Sequence, residues 1–180
     1  NRQTVFNCLV PLARSLRSHG IMISNATQSV KHALENVCEL TGFTGRWQKL
    51  SDAPLVICDA GHNVAGWNYL SKQIRETYNQ KLQQNPDSKL RVVFGMVDDK
   101  DIDTVLSMLP DDAVFYFTQA STHRAIPSSA VMEKAAKIGL QGCCSASVKD
   151  SYNKALQDAN AEDFIFVGGS CYIVADLLSL

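Results

Sequence analysis

Five consecutive residues, Asp59-Ala60-Gly61-His62-Asn63, bring a carboxylate, an imidazole and an amide together around a glycine. They follow an apolar run at 55–58 and precede a helical stretch, so they form a polar turn between a strand and a helix. Asp59 could accept hydrogen bonds from a ribose or orient a cation. His62 and Asn63 stand just before a helix, whose free N–H groups favour anions such as phosphate. The plainer alternative is that Asp59 and Asn63 only cap that helix.

Three further polar segments follow apolar runs. Asp98-Asp99-Lys100-Asp101 could hold a metal or a charged substrate, or be a solvated loop with a helix cap. In His123-Arg124, Arg124 could grip a carboxylate with two parallel N–H groups, or make a surface ion pair. Gly168-Gly169-Ser170 could cradle a phosphate, or simply allow close packing. His19 and His32 lie on helix surfaces and need no special role. No G-x-x-x-x-G-K-[S/T] phosphate loop and no G-x-G-x-x-G turn occurs, so a nucleoside triphosphate would need its main phosphate loop from elsewhere.

The elements that must position these residues follow from the pattern. Residues 2–19 show a helical period interrupted by Pro11, which is expected to kink or divide the helix. Ser24 or Asn25 can cap a second helix whose apolar face carries Val30, Ala33, Leu34, Val37 and Leu40, before Gly42 and Gly45 break the chain. Strands are then expected at 55–58, 90–94, 113–117, 142–146 and 164–167, with helices at 64–82, 102–109, 128–138, 148–159 and 170–178. The apolar runs are continuous rather than alternating, as in strands covered on both faces. The prediction is an α/β fold with a Rossmann-like, doubly wound, mainly parallel sheet, preceded by two helices. In such sheets ligands bind beyond the carboxyl ends of the strands, where the polar segments fall.

Composition narrows the function. The 180 residues carry 17 basic and 18 acidic side chains, a net charge of −1, which argues against a nucleic-acid partner. No apolar run is long enough for a membrane span, and no signal peptide opens the chain. The six cysteines have no C-x-x-C pairing, so no zinc site is expected; they read as buried free thiols in a reducing compartment, the cytoplasm. The chain opens on Asn1 in a helical pattern, which predicts a piece of a longer protein.

These residues together resemble the C-terminal region of folylpolyglutamate and dihydrofolate synthases, members of the Mur ligase superfamily. The family pattern is Gly-Arg, an apolar strand, then Asp-Gly-Ala-His-Asn-Pro. Here Gly45-Arg46-Trp47-Gln48 precedes the strand and Asp59-Ala60-Gly61-His62-Asn63 follows it. Phe94-Gly95-Met96-Val97 with Lys100-Asp101, Arg124-Ala125 before Pro127, and Gly168-Gly169-Ser170 are similar to later family motifs. Two departures stand out: Ala60-Gly61 reverses the usual Gly-Ala, and Val64 replaces the usual proline.

The resemblance implies an ATP-dependent amide ligase that activates a folate carboxylate as an acyl phosphate and couples it to L-glutamate. It implies that Arg46 and Asp59 contact ATP, with Arg46 at the phosphates and Asp59 on the ribose or adenine side. It places His62 near the reacting phosphate as the catalytic residue, and Asn63 completes the motif. Asn1, in Asn1-Arg2-Gln3-Thr4, resembles an asparagine that touches ATP. Residues 1–48 would then be the tail of a preceding ATPase domain and 49–180 the C-terminal domain. That ATPase domain would supply the phosphate loop and the Mg2+ ligands, leaving no metal ligand here. The expected assembly is a monomer whose partners are folate, L-glutamate and its own ATPase domain. The rival readings are a cell-wall Mur ligase, a non-catalytic nucleotide-binding module, and a phospho-acceptor domain. The last would need an acidic cluster that Asp59 lacks.

Overall fold

The structure, a computed structural model, describes residues 2–22 and 25–180. Backbone packing divides the chain into residues 1–43 and 44–180. Gly45, Arg46 and Trp47 therefore go with the sheet rather than with the helical segment expected to run to residue 48.

The first unit holds α1 (Arg2–Ser18), α2 (Ala26–Glu35) and α3 (Val37–Thr41). Pro11 lies inside one continuous α1, so it does not divide the helix. The expected second helix is instead broken at Asn36. Both its backbone N–H and its side-chain amide donate to the His32 carbonyl, the latter at 2.8 Å. A local amide competing for a helical acceptor ends the helix there. Asn25 precedes α2 in a left-handed conformation and makes no side-chain cap. Among the described residues of this unit no side chain is fully buried, and Leu12, Met22 and Leu40 are 52%, 80% and 56% exposed.

The second unit is a six-stranded sheet in the order β1-β2-β6-β3-β4-β5. Its strands are β1 (Gln48–Asp52), β2 (Leu55–Asp59), β3 (Leu90–Phe94), β4 (Val114–Phe117), β5 (Gly142–Cys144) and β6 (Phe164–Gly168). Only β1 is antiparallel, pairing with β2. The helices are α4 (Val64–Gln84), α5 (Ile102–Leu106), α6 (Ser128–Ala136), α7 (Val148–Gln157) and α8 (Cys171–Leu178). Successive residues of β6 alternate between two cores. Phe164 and Phe166 pack with Trp67 and Ile74 of α4 and with α5 and α6. Ile165 and Val167 pack with Val148 and Ala155 of α7 and Ile173 of α8. Burial on both faces is why strands such as β6 read as unbroken apolar runs.

The connections explain the layering. β2–α4–β3, β3–α5–β4 and β4–α6–β5 step in one direction, while β5–α7–β6 runs back across the sheet. Right-handed crossovers therefore put α4, α5 and α6 on one face and α7 on the other. The returning β6 inserts between β2 and β3. The chain leaves β2 toward one face and its neighbour β6 toward the other, opening a crevice between their carboxyl ends.

At the opposite end of the sheet lies a buried ion pair. Arg91 Nε donates to Asp163 Oδ2 at 3.0 Å, with side-chain exposures of 7% and 1%. Asp163 also accepts the backbone N–H groups of Lys89 and Asn160, at 2.8 and 3.1 Å. Arg91 donates to the Tyr116 hydroxyl at 2.8 Å, which donates to Asp158 at 3.1 Å.

All six cysteines are free, yet only Cys58 is buried, contrary to the expectation of buried thiols. Apolar neighbours in sequence do not say which side of an element a residue occupies. Cys143 sits on the edge strand β5, and Cys171 opens α8 on its outer side. Burial, and next the charge of Asp59, push the Cys58 thiol up to about 11. A raised thiol pKa favours the protonated native form below the ordinary value near 9.0, and that contribution is lost as pH climbs toward 11. Iodoacetamide at pH 8 is therefore expected to label Cys143 and Cys171 and to spare Cys58 until the chain is unfolded. Mass spectrometry of the labelled native chain checks this, and equal labelling of Cys58 would contradict it.

Candidate active site

β2 ends on Asp59, whose neighbour across the ladder is Gly168 of β6; Gly168 in turn faces Phe94 of β3. Asp59 therefore stands at the lip of the crevice. Its Oδ1 accepts the Gly61 N–H at 2.7 Å and its Oδ2 accepts the Trp47 N–H at 2.7 Å. The Arg46 guanidinium lies 3.6 Å from Oδ1.

The β1–β2 hairpin makes this meeting possible. Gln48 pairs with Cys58 and Asp52 with Leu55, so the chain doubles back and returns residue 46 to residue 59. Two more bonds close the corner. The Ala60 N–H donates to the Gly45 carbonyl at 2.8 Å, and the Gly45 N–H donates to Gln48 Oε1 at 2.7 Å. Gly45 has φ 77, and a Cβ there would stand 3.0 Å from a Val174 methyl, so a larger residue meets both strain and a close wall. Trp47 is non-glycine at φ 42, a conformation that costs about 1–3 kcal/mol. The bond from its N–H to Asp59 holds it there. Sequence reasoning missed β1 because Gln48-Lys49-Leu50-Ser51-Asp52 is a polar edge strand, interrupted between Lys49 and Ser51. It carries no apolar alternation that could have signalled it.

Magnitudes separate structure from function at this corner. Arg46 is 47% exposed and Asp59 14%, and an exposed pair of this kind is worth only about 0–1 kcal/mol. Asp59 contributes more to the fold through the two backbone N–H groups it satisfies. Its two ionised oxygens retain lone pairs beyond those bonds.

His62 is half-buried, with Nδ1 3.0 Å from the Ala60 carbonyl. A carbonyl only accepts, so Nδ1 carries the proton and Nε2 is the basic nitrogen. Asn63 is the N-cap of α4, accepting the Gly66 N–H at 2.8 Å. The capping alternative thus has its geometry at Asn63, whereas Asp59 stabilises the corner instead of capping α4. Asn1 lies outside the described residues.

The remaining segments line the same edge. Gly169 has φ 104, and a Cβ there would collide with the Gly95 carbonyl, so the glycine pair lets the β3 and β6 turns touch. Ser170 is buried and caps α8 by accepting the Tyr172 N–H at 3.2 Å. Asp101 caps α5 through the Thr104 N–H at 3.1 Å. Asp99 pairs with Lys100 at 3.0 Å and with Arg124. The lysine hydrogen bond first, and Arg124 after it, hold the Asp99 carboxyl below its usual range. Among the described residues, no group of three or more His, Cys, Asp or Glu side chains could hold a metal ion.

A family model described as "Mur ligase, glutamate ligase domain" matches residues 45–171, from the glycine of the closed corner to the first residue of α8. The chain belongs to the Mur ligase family. The family's glutamate ligase domain thus coincides with the sheet unit. Among its relatives, the dihydrofolate synthase/folylpolyglutamate synthase of Escherichia coli is 28% identical over 169 residues, covering 92% of this chain and 36% of that protein. The folylpolyglutamate synthase of Lacticaseibacillus casei is 26% identical, covering 74% and 28%. Among solved structures, E. coli FolC in complex with DHPP and ADP superimposes with a TM-score of 0.69 at 26% identity, covering 91% of this chain and 36% of that one. The bifunctional folylpolyglutamate synthase/dihydrofolate synthase of Yersinia pestis, complexed with AMPPNP and Mn, gives 0.63 at 28%, covering 76% and 31%. The chain thus spans about a third of the length of the curated relatives it matches. No helix among the described residues is long and apolar enough to cross a membrane.

Proposed function

We propose that this chain is the C-terminal part of an ATP-dependent folylpolyglutamate synthase of the cytoplasm, with dihydrofolate synthase as a second activity to be assayed. The observation that carries this reading is the corner that brings Arg46 to Asp59 at the crevice between β2 and β6. In the proposed reaction a folate carboxylate attacks the γ-phosphorus of ATP, releasing ADP and forming an acyl phosphate. The amino group of L-glutamate attacks the acyl carbon, phosphate leaves, and the amine gives up a proton. Arg46 would neutralise phosphate charge, and Asp59 would hold Arg46 while accepting from the ribose with its remaining lone pairs. His62 would present Nε2 near the reacting phosphate, and Asn63 would fix the start of α4 beneath it. Asn1 would touch ATP from the helical segment.

Mg2+ would screen the phosphates when bound, but the described residues offer it no ligand cluster. Its ligands are assigned, with the phosphate loop, to a preceding ATPase domain. The exposed apolar side chains of the helical unit support its being the tail of such a domain, since such a surface calls for cover. The working assembly is a monomer closed over its substrates, which would shield the acyl phosphate from water.

The test is ADP release by the full-length protein with ATP and L-glutamate. Stimulation by tetrahydrofolate or dihydropteroate, and none by a nucleotide-linked muropeptide, is expected. The opposite preference would establish the cell-wall branch. The isolated 180-residue chain is expected to be inactive; turnover by it would refute the assignment of the phosphate loop elsewhere.

A further inference from the structure

Arg124 stands where three strand-end loops meet. Its carbonyl accepts the Asp98 N–H at 2.9 Å, the next residue, Ala125, bridges Val97, and the Ile126 N–H donates to the Met96 carbonyl at 3.0 Å. The loop after β4 is thereby laid along the loop after β3. The guanidinium then pairs with Asp99 of that β3 loop. Tyr172 lies in the first turn of α8, just beyond the Gly168–Ser170 turn of β6; Asp99 first and Tyr172 next raise the arginine's pKa. One residue thus joins the loops that follow β3 and β4, beside the start of α8.

Exposed pairs of this kind add little to stability, so the consequence of this clamp is geometric. Asp99 is also the partner of Lys100, whose side chain is 30% exposed. Holding Asp99 holds the loop 98–101 and Lys100 with it. Across β6, Arg46 is already engaged at the β2 corner. L-glutamate carries two carboxylates, and a cation on a loop that must first be ordered binds a carboxylate less tightly than one already in place.

We propose that Arg124 is a positioning residue for the amino-acid substrate, pinning the loop 98–101 and Lys100 across the mouth of β3, β4 and β6. This inference rests on the ligase reading. Its contribution falls on glutamate rather than on ATP, because the clamp lies on the far side of β6 from the Arg46–Asp59 corner.

Steady-state kinetics of the full-length protein test it. Arg124→Ala is expected to raise the glutamate KM about tenfold, with kcat at saturating glutamate and the ATP KM held within about twofold. Asp99→Asn acts in the same direction. The double variant is no worse than Arg124→Ala alone, because both changes break one clamp. An unchanged glutamate KM in an active Arg124→Ala protein overturns the proposal, and so does an equal loss for glutamate and ATP. Should Arg124→Ala fail to fold, Asp99→Asn decides by the same two measurements. A wild-type protein that incorporates no glutamate removes the ligase reading and this inference with it; an active wild type with indifferent variants removes this inference alone.

Discussion

Arg46→Ala in the full-length protein is expected to lower the proposed ligase turnover by about a hundredfold or more, the scale that follows if its charge is aimed at a transferring phosphoryl group. Its melting temperature stays close to that of the wild type, because the half-exposed pair with Asp59 adds at most about 1 kcal/mol. Arg46→Lys recovers part of the activity, since an ammonium keeps the charge and loses the planar fork. Asp59→Ala is expected to behave differently, lowering both the proposed turnover and the stability. Two backbone N–H groups, of Trp47 and Gly61, lose their acceptor, at about 1–3 kcal/mol for each left unsatisfied. The pair of variants therefore separates the arginine's chemistry from the carboxylate's structural work. Turnover left intact by both substitutions would favour this chain being a non-catalytic nucleotide-binding module of the longer protein.

Asp163→Ala is expected to be the most destabilising single truncation, lowering the unfolding free energy of the sheet unit by about 3–5 kcal/mol. It strands the buried Arg91 charge and removes the acceptor of the Lys89 and Asn160 N–H groups together. A domain of this size has about 5–15 kcal/mol in all, so the loss is a large fraction of it. Replacing both partners, as Arg91→Met with Asp163→Leu, restores part of the stability because no unpaired charge is left inside. Lys134→Ala, which breaks the exposed pair with Asp103, changes stability by less than about 1 kcal/mol. Denaturant unfolding followed by tryptophan fluorescence reads this unit, since Trp67 is buried against Phe94 and Phe166. Equal shifts for Asp163→Ala and Lys134→Ala would show that the network contributes nothing special.

The two predictions concern opposite ends of one sheet, and only one end could be found by reading along the chain. Asp59, His62 and Asn63 were conspicuous because they cluster after an apolar run and before a helix. Asp163 and Arg91 were not, since Asp163 follows Glu162 at the end of a polar turn, Arg91 stands between Leu90 and Val92, and the two meet only where β3 pairs with β6. The thiols show the same limit: most sit inside apolar stretches of sequence, yet five of the six are exposed or partly so.

By itself the sequence determined the alternation of helices and parallel strands, because strands buried on both faces must be continuously apolar and their turns must be polar. It also determined where the polar turns fall, and the combination that resembles the Mur ligases. Only the tertiary structure decided the strand order, with β6 between β2 and β3, since pairing between distant segments leaves no periodic mark on either. Only the tertiary structure supplied β1, a polar edge strand whose partner is set by the hairpin. That strand is what turns Arg46 and Asp59 from two separate matches into one charged corner.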